Sequence, residues 1–213
     1  MSRIALVAGA TGLVGGKLVR RLLALDDYQE VRALGRKPPA LDAGKLRFIA
    51  SDFSRLEDLD VELKVDDVFC CLGTTIKTAG SQAAFERVDY HMVVDLARAA
   101  QKAGAKRFLV VSSVGASERS PAFYSRVKGR MEKAVSELPF EAVHIVQPSL
   151  LLGDRTELRP GEALAQIIAP WIGPFMLGPL KKYRPIKADD VAAALVQLAL
   201  KGGRGVQVHT LPL

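Results

Sequence analysis

A chain of 213 residues, 49% hydrophobic and 25% charged, has the size and composition of one globular domain whose core needs neither disulfides nor metal. The formal charge is +7, but the cations come in pairs (Arg20-Arg21, Lys106-Arg107, Lys181-Lys182) and only 6% of residues are aromatic, which argues against a nucleic-acid-binding stripe. No segment approaches the ~20 apolar residues of a membrane span, and the apolar start Ile4–Ala8 is too short for a signal peptide, so a cytoplasmic location is expected.

Short apolar runs alternate with longer helical stretches along most of the chain. Strands are predicted at Ile4–Ala8, Val31–Leu34, Leu46–Ile49, Asp67–Leu72, Arg107–Ser112 and Ala142–Val146. Helices are predicted near Leu13–Leu25, Ala83–Ala103 and Tyr124–Leu138. Apolar strands alternating with helices imply a doubly wound α/β fold, a parallel sheet covered on both faces. The rhythm breaks after Pro148, and Pro170–Pro179 is apolar yet rich in Pro and Gly. Regularity returns with a helix at Asp189–Leu200, Asp189 its expected N-cap, and Val206–His209 is a candidate last strand. The chain reads as one domain over 1–213, with its substrate side at approximately 149–188.

The first strand runs into Gly9-Ala-Thr-Gly12-Leu-Val-Gly15, glycines spaced G-x-x-G-x-x-G. Missing side chains let the backbone turn tightly, approach a pyrophosphate and pack helix on strand. The following helix then aims free N–H groups at the phosphates. A strand before, an amphipathic helix after and a second strand beyond make this a dinucleotide-binding loop.

The end of the second strand selects the dinucleotide. An NAD site usually carries an acid there for the ribose 2′-hydroxyl. This chain has Gly35-Arg36-Lys37, and its nearest acid, Glu30, is expected to precede the strand, ~16 Å away. Arg36 suits a 2′-phosphate, through charge-assisted bonds worth ~1.5–3 kcal/mol each, so NADP(H) is the expected cofactor.

Tyr124 and Lys128 share one helix face at i, i+4, and the preceding strand ends in Ser112-Ser113. Ligands bind at the C-terminal ends of parallel strands, so one pocket can hold hydroxyl, phenol and ammonium together. Hydride transfer to a carbonyl leaves an alkoxide that must be protonated. A free phenol has pKa ~10; a neighbouring ammonium stabilises its anion, and a serine hydroxyl aligns the carbonyl oxygen. Ser113 is preferred for that role, with Ser112 left open. Three other features are read as structural. Cys70 and Cys71 alternate across a buried strand, His91, His144 and His209 show no ligand spacing, and no metal site is expected. Trp171, Phe175 and Met176 belong to a substrate lid, a protein contact or a packed loop.

With Gly9, Gly12, Gly15, Tyr124 and Lys128 in place, the chain resembles the atypical branch of the short-chain dehydrogenase/reductase superfamily. Phe69-Cys-Cys-Leu-Gly-Thr-Thr75 and Asp154-Arg-x-Glu-x-Arg-Pro-Gly-Glu162 further resemble the Tat-interacting-protein oxidoreductase family. The resemblance implies that Thr11, Gly12, Leu13 and Val14 line the pyrophosphate and that Arg36 and Lys37 meet the 2′-phosphate. It puts Asp52 near the adenine and Leu72 and Gly73 along the adenosine half. Tyr124 would be proton donor or acceptor, with Lys128 on the nicotinamide ribose. Pro148 to Leu151 would flank the nicotinamide, and Arg159 would close over it. One departure stands out: the superfamily often has Asn near the position of Asp89.

The resulting expectation is an NADP(H)-dependent oxidoreductase acting on a small carbonyl or alcohol. A non-enzymatic NADP(H)-binding regulator with a protein partner is the alternative, and homo-oligomerisation is left open. A nucleotide-sugar epimerase is disfavoured by the short C-terminal region.

Overall fold

The computed structural model describes residues 2–152 and 184–211. Seven parallel strands form one sheet in the order β3-β2-β1-β4-β5-β6-β9. They are β1 (Arg3–Ala8), β2 (Tyr28–Gly35), β3 (Leu46–Ala50), β4 (Asp67–Cys70), β5 (Arg107–Val111), β6 (Ala142–Pro148) and β9 (Gly205–Leu211). Chain order reverses between β1 and β4, the switch point where such sheets open a crevice at their C-terminal edge.

Period-2 alternation sorts the core into two layers. Leu6 and Ala8 of β1, Val68 and Cys70 of β4, and Phe108 and Val110 of β5 face one side. There they meet α4 (Met92–Lys102) and α5 (Phe123–Ser136). Ala5, Val7, Phe69 and Leu109 face the other, under α1 (Leu13–Leu23) and α6 (Ala188–Lys201), which pack on each other. Both faces are covered, so the strands are apolar throughout rather than alternating with polar residues.

The structure adjusts several expected elements. β2 begins at Tyr28, so Glu30 lies inside the strand, ion-paired with Arg32 at 2.7 Å, and still far from the C-terminal edge. The helix expected over Ala83–Ala103 is two, α3 (Gln82–Glu86) and α4, joined by a π-turn at Arg87–His91. β4 stops at Cys70 and β5 at Val111, leaving Leu72, Ser112 and Ser113 in the loops above the sheet. Asp189 is not the N-cap. Lys187 occupies that position, and Asp189 in the first turn pairs with Arg21 of α1 at 2.5 Å. Short elements of low periodicity went unread: a 3₁₀ turn at Leu56–Leu59, α2 (Ile76–Ala79), and the two-strand pair β7 (Leu151–Leu152) with β8 (Ile186–Lys187). Cys70, which ends β4, and Cys71, just beyond it, are free thiols. His144 and His209, remote in sequence, meet across β6 and β9 with Nδ1 and Nε2 3.2 Å apart. Burial holds both imidazoles below the ordinary histidine range.

At the N-terminal edge of the sheet, away from the crevice, Asp67 is fully buried. It accepts from Tyr28 Oη at 2.7 Å and from Arg107 Nε, with Arg3 Nη1 at 3.9 Å. These bonds tie the starts of β1, β2, β4 and β5 together. Burial, then the Asp67 charge, drives the Tyr28 phenol far above its ordinary range. Removing the carboxylate strands a nearly buried guanidinium. Asp67→Asn is expected to cost about 3 kcal/mol and to lower Tm by roughly 6–12 °C in thermal denaturation.

Candidate functional site

The turn leaving β1 is shaped by two glycines. Gly9 adopts φ +80°, and a Cβ there would lie 2.6 Å from the Cys71 carbonyl oxygen. A Cβ on Gly15 would lie 2.1 Å from the Gly9 carbonyl oxygen, so only glycine lets α1 start this close to the strand. Gly12 caps α1 without a side-chain acceptor, and the first-turn amides open toward the crevice.

That crevice is a cleft of about 850 Å³. Thr11, Gly12, Leu13 and Val14 form one wall. Leu72 and Gly73 follow from β4, Ser112 from β5, Tyr124 and Lys128 from α5, and Leu151 from β7. Lys37 lines the same cleft, and Lys17 and Arg20 of α1 add two cations not singled out from the sequence. Arg36 and Asp52 are elsewhere. They line an adjoining depression of about 520 Å³ beside the 3₁₀ turn. The Asp52 carboxyl is held below its ordinary range by hydrogen bonds from the Ser54 side chain and backbone. Gly9, Gly15, Ser113 and Pro148 do not line the cleft, and Arg159 and the Trp171–Leu180 loop lie outside the described residues.

Tyr124 opens the first turn of α5, where its ring packs on the buried ring of Phe85, centroids 5.4 Å apart. Lys128, one turn on, is 4% exposed and bonds Asp89, 1% exposed, with Nζ 2.9 Å from Oδ1. Burial pushes Lys128 toward neutrality, but the Asp89 carboxylate and Tyr124 outweigh it and hold the ammonium above its ordinary range. A further turn along the same face comes Glu132, which accepts both of its bonds from Gln147 Nε2 at 2.9 and 3.1 Å. Burial raises the Glu132 carboxyl, opposed by Ser112, Gln147 and Lys128.

The serines reach this helix because of Gly129. A Cβ on Gly129 would fall 2.2 Å from the Ser117 carbonyl carbon, so the loop after Ser113 lies directly on α5. The Ser117 amide bonds the Ser125 carbonyl at 3.0 Å. The Ser112 hydroxyl is buried beside Glu132 without a bond of normal geometry, and the Ser113 hydroxyl is buried with no partner among the described residues. Besides Lys17 and Arg20, three contributors were missed from sequence: Phe85, Gly129 and Glu132. The i, i+4, i+8 spacing of Tyr124, Lys128 and Glu132 was the available signal for the last.

A model of a family described as NAD(P)H-binding matches residues 9–201. Mitochondrial protein fmp52 of Aspergillus clavatus is 36% identical over 96% of this chain and 90% of its own length. FMP52 of Candida albicans, also named mitochondrial, is 35% identical over 93% and 89%. Protein HTATIP2 of Rattus norvegicus is 36% identical over 75% and 67%. Among solved structures, the Bordetella bronchiseptica enzyme WbmG in complex with NAD superposes with TM-score 0.70 at 18% identity, covering 99% of this chain and 73% of that one. A short-chain dehydrogenase family protein from Francisella tularensis gives 0.66 at 15% identity over 98% and 97%. These structures share the fold. The mitochondrial names of the fungal relatives overturn the expected cytoplasmic location, which rested only on an unremarkable N-terminus and the lack of a long apolar run. No helix among the described residues is long and apolar enough to cross a membrane. The chain belongs to the NAD(P)H-binding family and is similar over most of its length to fmp52 and HTATIP2.

Proposed function

We propose that this protein is an NADP(H)-dependent oxidoreductase that interconverts a small carbonyl compound and its alcohol. One observation carries the reading: the amides after β1 and the Tyr124–Lys128 pair open into a single cleft. The residues present fit the dinucleotide. Glycine at 9 and 15 keeps the α1 amides at the surface of the cleft, and no side chain caps them. Thr11 to Val14 hold the diphosphate, and Gly73 leaves room along the opposite wall. Lys37 in the cleft and Arg36 in the neighbouring depression would take the 2′-phosphate. Asp52, which shares the depression with Arg36, would lie toward the adenine. Among the described residues, Pro148 to Leu151 belong to the nicotinamide end.

Bound NADPH supplies the hydride to the carbonyl carbon. The Tyr124 phenol gives its proton to the carbonyl oxygen, so the alcohol leaves complete and a phenolate remains, which takes a proton from solvent before the next turnover. Lys128 stabilises that phenolate through its fixed positive charge and binds the nicotinamide ribose. Ser113, or Ser112 beside it, donates to the carbonyl oxygen and holds it in line. Both hydroxyls are buried without a partner among the described residues, and Ser112 is the one that lines the cleft with Tyr124.

Tyr124→Phe is expected to lower kcat for NADPH-dependent carbonyl reduction by about 10²–10⁴-fold while changing NADPH affinity less than about threefold. An aldehyde, ketone and quinone screen run on both proteins checks this. Undiminished turnover in the variant refutes the role of Tyr124. Tight NADPH binding without any turnover in the parent favours a non-enzymatic regulator. Replacing Arg36 and Lys37 together by Ala is expected to cost about tenfold or more in preference for NADPH over NADH, measured by calorimetric titration. A parent protein without that preference refutes the NADP assignment.

A further inference from the structure

The π-turn at Arg87–His91 interrupts the helical run between α3 and α4 and puts Asp89 against Lys128. Turns of this kind recur where a side chain must be aimed into a site. The α5 helix grips the turn on both sides of Asp89. Arg130 Nη1 bonds Glu86 Oε1 at 2.5 Å, and the same guanidinium sits 4.7 Å over the Tyr90 ring. The second carboxylate oxygen of Asp89 accepts from the Thr74 amide at 2.9 Å. A Cβ on Gly73 would stand 3.4 Å from Asp89 Oδ1 and 4.0 Å from Lys128 Nζ, so the cleft wall lies directly over the pair.

We infer that Asp89 is a positioning residue, which fixes Lys128 as an aimed, charged ammonium before any dinucleotide arrives. The inference rests on the proposed role of Lys128 and supplies what sets it. Buried ion pairs add little net stability, and apolar residues of equal volume serve a core at least as well. This pair instead lines the cleft, one helical turn from the phenol. The ionisable groups facing Lys128 are Asp89 from the π-turn, Tyr124 from its own helix and Cys70 from β4, with Glu132 a turn further along α5. Cys70 stays a neutral thiol, pushed up to about 12 by burial. Asp89 is therefore the carboxylate bonded to this ammonium, and without it burial drives the amine toward neutrality. The sign follows: the raised value keeps Lys128 charged through neutral and alkaline pH, and Asp89→Asn moves the loss of charge downward.

The test is an NMR titration of the Lys128 side chain in the full, cofactor-free protein, assigned by its loss in Lys128→Met. In the parent, Lys128 is expected to stay protonated beyond the ordinary 10.5. In Asp89→Asn its midpoint is expected to fall by about two pH units, a 100-fold rise in the acid dissociation constant. A parent Lys128 that titrates at or below the ordinary value overturns the inference even if the variant fails to fold, and so does an unchanged midpoint in a folded variant. The pH profile of carbonyl reduction gains an alkaline limb in Asp89→Asn, which a merely structural residue would not produce. The titration needs no turnover, so failure of the catalytic reading and failure of this inference are separable.

Discussion

Everything at the crevice depends on how closely α1 begins against the turn that leaves β1. The Gly15 position has no room for even a methyl group above the Gly9 carbonyl. That approach brings the amides of residues 12–14 to the C-terminal edge of the sheet, at the point where strand order reverses. A helix start offset by one side chain would bury those amides or carry them past the cleft. Parallel strands then deliver the other walls to the same edge: Leu72 and Gly73 after β4, Ser112 after β5, and Leu151 after β6.

The sheet carries buried charge at both edges, and the two sites differ in kind. At the lower edge, Asp67 gathers Tyr28, Arg107 and Arg3 at the strand starts, remote from the cleft. Its environment is closed and its bonds are structural. At the upper edge, Asp89 and Lys128 are as deeply buried but form part of the cleft wall. Strand β4 joins them: it begins at Asp67 and leads through Cys70 to the Gly73 backbone that covers the second pair.

The parallel sheet was legible because its strands are unbroken apolar runs, such as Ile4–Ala8 and Arg107–Val111. The loop of Gly9, Gly12 and Gly15 was legible because local sterics dictate it. What escaped depends on tertiary context. The π-turn has no local signature within Ala83–Ala103, whose apolar spacing fits an uninterrupted helix. Asp89 drew notice only as a departure from Asn, since its partner lies 39 positions later. Gly129 looks like an ordinary weak point in a helix until the loop at Ser117 is seen lying on it. Glu30 was placed before β2 because the strand's first three residues are polar or amphipathic, although Tyr28 is fully buried against Asp67 and Phe69. The separation of Arg36 from Lys37 into neighbouring hollows arises in the bend after β2 and is invisible in a dipeptide.

The account stands on one cleft serving both the dinucleotide and the proton donor. A crystal structure of the chain with NADPH tests that most directly. The diphosphate should rest on the amides of Leu13 and Val14, the 2′-phosphate should reach Arg36 or Lys37, and the nicotinamide ribose should meet Lys128 beside the Tyr124 hydroxyl. A dinucleotide bound outside this cleft, or one whose nicotinamide end points away from Tyr124 and Lys128, would contradict it.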